Sequence, residues 1–354
     1  MKKQKKKEYR FIFTSLTLKL LLTLSLWKML RFIGINPKIV NILKYMYDNT
    51  ECAVLVDGKL THWFTVLVGV RQGCILSPTL FNIFLEFLLD EVKSLKEFQL
   101  DRELATDVRY ADDTTLVSAI FEKLSLSTEE LETALEINAS KCKIMSTEND
   151  NIYINGEIVE NVNSFVFLGS SVPNTTDDVK RRIALACSAF GRLKNNIWGR
   201  REVTNKLKVR LYNALILPIA IYGSESWTLK SEDSRRLLVF ENDCLRCLVG
   251  KTRLDKCRMQ DIRSELNVTR SILDVIKKKR LLWFGHVVRK GEGSYVYCAY
   301  KQEFDGNRTR GRPSKRWSDQ IRDDLKVPLL TTERNARDRD RWKRIVKNEC
   351  AKIC

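Results

Sequence analysis

The sequence predicts an α+β front part, an antiparallel sheet with helices, followed by a mostly helical and strongly basic domain. Three observations carry that prediction. Strand-like segments punctuated by turn dipeptides stop at Gly169, helical periodicity rich in Lys and Arg takes over after Asp177, and charge divides in the same place. Residues 180–354 hold 42 Lys and Arg against 20 Asp and Glu, whereas residues 1–179 hold 20 against 24. The net charge of +18 therefore resolves into +22 on the rear (42 minus 20) and −4 on the front (20 minus 24). A polyanion is the partner that best accounts for such an excess.

The remaining composition narrows the class further. A chain of 354 residues is long enough for two or three domains, and 44% hydrophobic residues with only 15 Gly and 6 Pro exclude a disordered or fibrous protein. Ten scattered cysteines show no paired spacing, which predicts reduced thiols and an intracellular setting. Cys244 and Cys247 form a lone CxxC with no second pair, read as thiols on a helix rather than a zinc site. The start, MKKQKKK and then an apolar stretch from Phe11 to Leu30, imitates a signal sequence, but Lys19 interrupts it and no small-residue cleavage site follows. No other stretch suits a bilayer, so no membrane partner is expected.

Along the chain, apolar residues from Trp27 to Asp48 recur at helical spacing with a break at Asn36-Pro37, which predicts two short helices. Cys52 to Val70 reads as a hairpin around Asp57-Gly58. Ser77-Pro78 opens a helix running to about Leu95. Thr106 to Val117 reads as two strands joined at Ala111-Asp112-Asp113, and Ser127 to Glu136 as a helix opened by a Ser-x-x-Glu capping box. Asn155-Gly156 turns a second hairpin, Ile152 to Val159, and Phe165 to Gly169 forms one more strand. Helices then cover 178–197, 205–215, 231–249 and 271–288, and a Gly/Arg/Pro-rich connector at 306–313 precedes a basic helical tail.

The chemistry concentrates at Tyr110-Ala111-Asp112-Asp113. Two adjacent carboxylates on a hairpin tip repel unless something positive neutralises them, and a divalent pair clamping the attacking and leaving oxygens of nucleotidyl transfer is one answer. A solvated Asp-Asp turn is the other. Upstream stands Gly69-Val70-Arg71-Gln72-Gly73-Cys74-Ile75-Leu76-Ser77-Pro78-Thr79-Leu80-Phe81-Asn82. The two segments together, in this order, resemble the reverse transcriptases of non-LTR (LINE-type) retrotransposons. Leu135 to Lys143, Phe165 to Gly169, Leu217 to Trp227, Arg280 to Arg289 and Gly311 to Trp317 extend that resemblance over roughly residues 26 to 325.

The resemblance implies a polymerase palm with part of its fingers, an RNA template with a DNA primer or target, deoxynucleoside triphosphates and Mg2+. It makes Asp112 and Asp113 the catalytic, metal-holding carboxylates, sets Arg71, Gln72 and Gly73 beside the nucleotide, and sets Lys141 near its phosphates. The family's first catalytic aspartate lies in an FxDxxKAFD motif, but that place here reads Phe11 to Thr23, and no carboxylate occurs between Glu8 and Asp48. A shifted reading frame would produce such a leucine- and threonine-rich run. The expected layout is thus a degenerate amino terminus (1–25), a palm and fingers remnant (26–175), a thumb-like basic region (176–300) and a basic linker and tail (301–354). The chain resembles a front-truncated element product with impaired polymerase activity, acting in the nucleus and cytoplasm. The alternative is a non-catalytic nucleic-acid-binding protein, gripping phosphates through Lys277, Lys278, Lys279, Arg280, Arg308, Arg310, Arg312, Lys315 and Arg316, with Trp283 and Trp317 nearby for stacking.

Overall fold

The computed structural model describes residues 10–15, 22–48, 50–65, 73–91, 99–100, 103–104, 107–110, 113–118, 121–134, 137, 139–146, 151–301 and 315–351. Two compact units, residues 1–163 and 164–354, divide the chain ahead of the boundary expected at 175.

In the first unit, β1 (Arg10–Ser15) is followed by α1 (Leu22–Phe32) and α2 (Pro37–Asp48). Asn36 caps α2 by accepting the Lys38 N–H at 2.9 Å, with Pro37 at the first helical position. Two small ladders follow, β2 (Glu51–Cys52) with β5 (Phe64–Thr65), and β3 (Leu55–Val56) with β4 (Lys59–Leu60), the latter turning at Asp57-Gly58. α3 spans Ser77–Glu91, and β6 (Gln99–Leu100) pairs with β7 (Glu103–Leu104). Then come β8 (Asp107–Tyr110), β9 (Asp113–Ser118), α4 (Phe121–Ala134), β10 (Lys143–Met145), the hairpin β11 (Tyr153–Ile154) and β12 (Glu157–Ile158), and β13 (Glu160–Asn161).

The main sheet has the order β13-β10-β1-β9-β8. All its pairs are antiparallel except β10 with β13. That exception departs from the expected all-antiparallel sheet, because the intervening hairpin makes the connection long enough for a parallel return. Leu26, Trp27 and Leu30 form the buried stripe of α1, packed with Val40, Tyr47, Leu80, Phe84, Leu116, Leu124 and Ile144. The Trp27 and Tyr47 rings meet edge to face at 5.8 Å. Ser127 does not cap a helix as expected: α4 begins at Phe121, so Ser127 and Thr128 lie buried inside it. The stripe of Leu124 and Thr128, with the Thr128 hydroxyl donating to the Leu124 carbonyl at 2.7 Å, overrides the local capping pattern.

The second unit opens with the hairpin β14 (Phe165–Phe167) and β15 (Ser170–Val172), so the expected single strand is the first arm of a pair. The helices are α5 (Thr175–Arg192), α6 (Asn205–Leu211), α7 (Leu217–Ala220), α8 (Ser231–Leu248), α9 (Met259–Glu265), α10 (Ile272–Lys290), α11 (Tyr295–Lys301), α12 (Trp317–Leu325), α13 (Leu329–Arg337) and α14 (Arg339–Ala351). Asn174, Thr204 and Ser271 cap α5, α6 and α10 through their side chains. α10 serves two cores. Ile272 and Ile276 join Val179, Trp198, Ile216, Trp227, Leu237 and Leu245, while Leu281, Phe284 and Val288 join Ile321, Leu325, Trp342 and Val346. The segment expected as a linker and tail is therefore, from residue 315 to 351, a folded helical layer on α10, held by the buried side chains of α12 and α14.

A buried polar chain ties these elements together. Asp178, 2% exposed, accepts the Ser171 N–H at 2.9 Å and the Trp227 indole N–H at 2.8 Å, with the Arg182 guanidinium 3.9 Å away. Burial pulls the Arg182 guanidinium below its ordinary value while Asp178 opposes that. Arg182 also donates to the Gly169 carbonyl and lies over the Tyr222 ring at 4.1 Å from its centroid. The Tyr222 hydroxyl donates to the Leu168 carbonyl at 2.9 Å. Gly285 lets α14 approach α10. A Cβ there would lie 2.3 Å from Trp342 Nε1, which donates to the Leu281 carbonyl at 2.9 Å.

Three stability outcomes are expected in urea titrations of the full chain. Asp178→Ala strips a buried hub of its acceptor and should destabilise the second unit by about 3 kcal/mol or more. Asp178→Asn should not restore full stability, since its amide nitrogen would face one of two N–H donors. Gly285→Ala should cost about 1–3 kcal/mol through overpacking against Trp342.

Candidate functional site

The site read from sequence is built at one end of the first unit's sheet. β8 and β9 pair with Val108 opposite Thr115 and Tyr110 opposite Asp113. Asp112 itself, like Ala111, lies outside the described residues. Asp113 is the first residue of β9 and half-buried, ahead of the buried Thr114, Thr115 and Leu116. Tyr110 is 65% exposed. Arg109 on β8 reaches Glu86 on α3 at 2.7 Å, an exposed ion pair that orients the hairpin more than it stabilises it.

β1 runs beside β9 with Phe13 opposite Thr115 and Ser15 opposite Asp113. On its other edge Phe13 pairs with Lys143 of β10, so continuing the register two residues brings Lys141 to the Ser15 end. Lys141 closes the 3₁₀ turn Ala139–Lys141 and is exposed. Strand spacing of about 4.8 Å sets it two strands, about 10 Å, from the Asp113 strand. Asp113 and Lys141 are thus brought to the same sheet end. Gly73 is exposed at φ +83°, a left-handed turn that favours glycine, leading into α3. Arg71 and Gln72 lie outside the described residues. Behind that turn, Tyr47 and Ser77 share a hydrogen bond at 3.0 Å, and the Leu76 backbone chiefly holds the Cys74 thiol below its ordinary value.

β1 offers Arg10, Phe11, Ile12, Phe13, Thr14 and Ser15, and no Asp or Glu occurs from Tyr9 to Tyr47. Among the described residues no cluster of three or more His, Cys, Asp or Glu could hold a metal. The adjacent aspartates of one hairpin are present in the sequence, and β1, the strand beside them, carries no carboxylate.

In the second unit the basic run of α10 is not the open patch the sequence suggested. Arg280, expected on nucleic acid, is 3% exposed; it donates to Asp324 at 2.8 Å and to the Trp227 carbonyl at 3.3 Å. Burial pushes the Asp324 carboxyl up while Arg280 opposes it. Lys277 pairs with Glu349 at 3.5 Å, and Lys279 donates to the Ile221 carbonyl at 3.3 Å and approaches Glu225 at 3.6 Å. Lys278 alone of the four is exposed. Lys315 and Arg316 are exposed, Lys315 pairing with Asp323 at 2.7 Å. Arg308, Arg310 and Arg312 lie outside the described residues. Cys244 of the CxxC is a core side chain of α8 whose thiol is pushed up by burial.

Comparison with known proteins agrees with the family resemblance. The profile of the reverse transcriptase (RNA-dependent DNA polymerase) family matches residues 24–172, so this part of the chain is similar to that family. The relatives it resembles come from mobile elements. The chain is 27% identical over 269 residues to an uncharacterized transposon-derived protein of Caenorhabditis elegans, covering 68% of this chain and 95% of the worm protein. It is 22% identical over 254 residues to the RNA-directed DNA polymerase from mobile element jockey of Drosophila melanogaster, covering 66% of this chain and 27% of that polymerase. A 96-residue stretch is 29% identical to the Pol polyprotein of the R2 element of Nasonia vitripennis, covering 27% of this chain and 9% of that polyprotein. The chain thus spans about a quarter of the jockey polymerase. Among the described residues no helix is long and apolar enough to cross a membrane.

The placement of Arg280 yields a direct check. Arg280→Ala should destabilise the second unit by about 3 kcal/mol, read by urea titration, because it leaves Asp324 buried without its cation.

Proposed function

We propose that the chain is an RNA-directed DNA polymerase by descent that retains nucleic acid binding and has lost most or all nucleotidyl transfer. One observation carries the reading: β1 stands beside the Asp113 strand, with Ser15 opposite Asp113, and supplies no carboxylate. In the working version of such a site, Asp112 and Asp113 would hold Mg2+ together with a ligand from that neighbouring strand. A metal ion contributes several kcal/mol to the transition state, and each 1.36 kcal/mol is tenfold in rate. Without the ligand common to both ions, about a thousandth of normal activity or less should remain.

The retained parts would act as binding groups. Lys141, at the same sheet end as Asp113, suits the phosphates of a deoxynucleoside triphosphate, and the turn at Arg71, Gln72 and Gly73 suits its approach. Residues 26–175 would form the palm and fingers remnant, and the basic second unit would hold the RNA template or the DNA primer and target. Such a chain would act where element RNA meets chromosomal DNA, in the nucleus, after synthesis in the cytoplasm.

Primer extension on an RNA template with Mg2+, run on the full chain and on Asp112→Ala, tests the catalytic half. Neither should synthesise DNA; synthesis at a polymerase-like rate that vanishes in the variant would refute the loss of activity. For the binding half, six phosphate contacts give a slope of log K against log salt of about −5 on duplex, measured by anisotropy. A flat salt dependence would count against it.

A further inference from the structure

We propose that the cleft between α10, α11 and the start of α12 binds single-stranded nucleic acid, one base against Trp283 and the adjoining phosphates on Lys315 and Arg316. The proposal rests on the nucleic-acid-binding half of the function above and gives it an address within the second unit. The cleft has a volume of about 610 Å3, room for a nucleotide. Trp283 stands in its wall, 36% exposed, in parallel contact with His286 at 5.1 Å between ring centroids. Large apolar rings held part-exposed on a helix are costly to leave wet, and every base offers them a flat partner.

The rest of the lining supports an anion. Among the described residues Lys301, Lys315 and Arg316 are its cations, and Glu333 is its single carboxylate. Glu333 is already committed. It accepts the Tyr300 hydroxyl at 2.5 Å and Lys301 at 2.8 Å, and burial together with Glu333 raises the Tyr300 phenol so that it stays a donor. Lys315 and Arg316 are left to meet a ligand: the Lys315 pair with Asp323 has both side chains 40% or more exposed and is weak enough for a phosphate to displace. The back of the cleft is rigid. Trp317 donates its indole N–H to the Glu225 carbonyl at 2.9 Å, and its ring packs against Phe284 and Tyr300. The larger groove between α5 and α8 carries a like excess of cations, but no tryptophan stands among its described wall residues to stack on a base.

The test uses the full chain with fluorescein-labelled oligouridylate, the matching single-stranded DNA, a duplex of equal length, and polyglutamate as competitor. Trp283→Ala should weaken single-strand binding about tenfold with little change on duplex, and Trp283→Phe should recover most of it. Lys315→Gln with Arg316→Gln should flatten the salt slope by about 1.4, at about 0.7 per phosphate contact. Both cations are exposed, so this second variant keeps the test decisive should Trp283→Ala unfold in urea controls. Wild-type binding that neither variant alters would overturn the cleft while leaving a diffuse basic surface. Polyglutamate competing as well as RNA would overturn it too, as a site reading charge alone. Absence of any nucleic acid binding by the wild type would defeat the functional reading itself.

Discussion

The buried carboxylate of Asp178 is the constraint on which the second unit is built. An ionised group out of water has to collect donors, and each donor it collects fixes another element. Ser171 brings in the hairpin, Trp227 the turn after α7, and Arg182 the following turn of its own helix. The chain continues outward, because the Trp227 carbonyl receives Arg280 and Arg280 is charge-paired with Asp324 on α12. Four elements distant in sequence are thereby placed by polar groups that cannot be exchanged singly. Apolar burial supplies the bulk of the driving force; these groups select which packing is adopted.

α10 shows how much of that arrangement the sequence discloses. Its periodicity and its Ser271 cap are plain in the residues, and the helix forms where they predict. The run Lys277-Lys278-Lys279-Arg280 is more deceptive, since four consecutive cations look like one patch while a helix turns each of them about 100° from the last. The spacing of Ile276, Arg280 and Phe284 contains the correction: all three are buried, four residues apart. What no sequence count supplies is the acid waiting inside, because Asp324 arrives from a helix past the connector.

Turns and site divide along the same line. Asp57-Gly58 and Asn155-Gly156 were legible because both positions need positive φ and these residues tolerate it. Leu168-Gly169 turns the chain in the same conformation, yet a leucine at φ +47° is imposed from outside, by Tyr222 on its carbonyl and by Arg181 and Arg182 on that of Gly169. The reverse transcriptase motifs were legible because chemistry restricts their residues directly. The absence of a carboxylate from β1 was legible in the residues; that the segment forms a strand follows from its place between β9 and β10, which asks for extended, sheet-forming residues.

The order of the main sheet also has a history in time. β1 lies in the middle, yet it is the first strand to leave the ribosome, and its neighbours are made only at residues 113–118 and 143–145. At roughly 5–20 residues per second, translation leaves that strand without either edge partner for several seconds or longer. The nascent chain therefore carries an unpaired apolar strand, Arg-Phe-Ile-Phe-Thr-Ser, through most of the synthesis of its own unit. The strand most enclosed in the finished sheet is thus the one that waits longest for its partners.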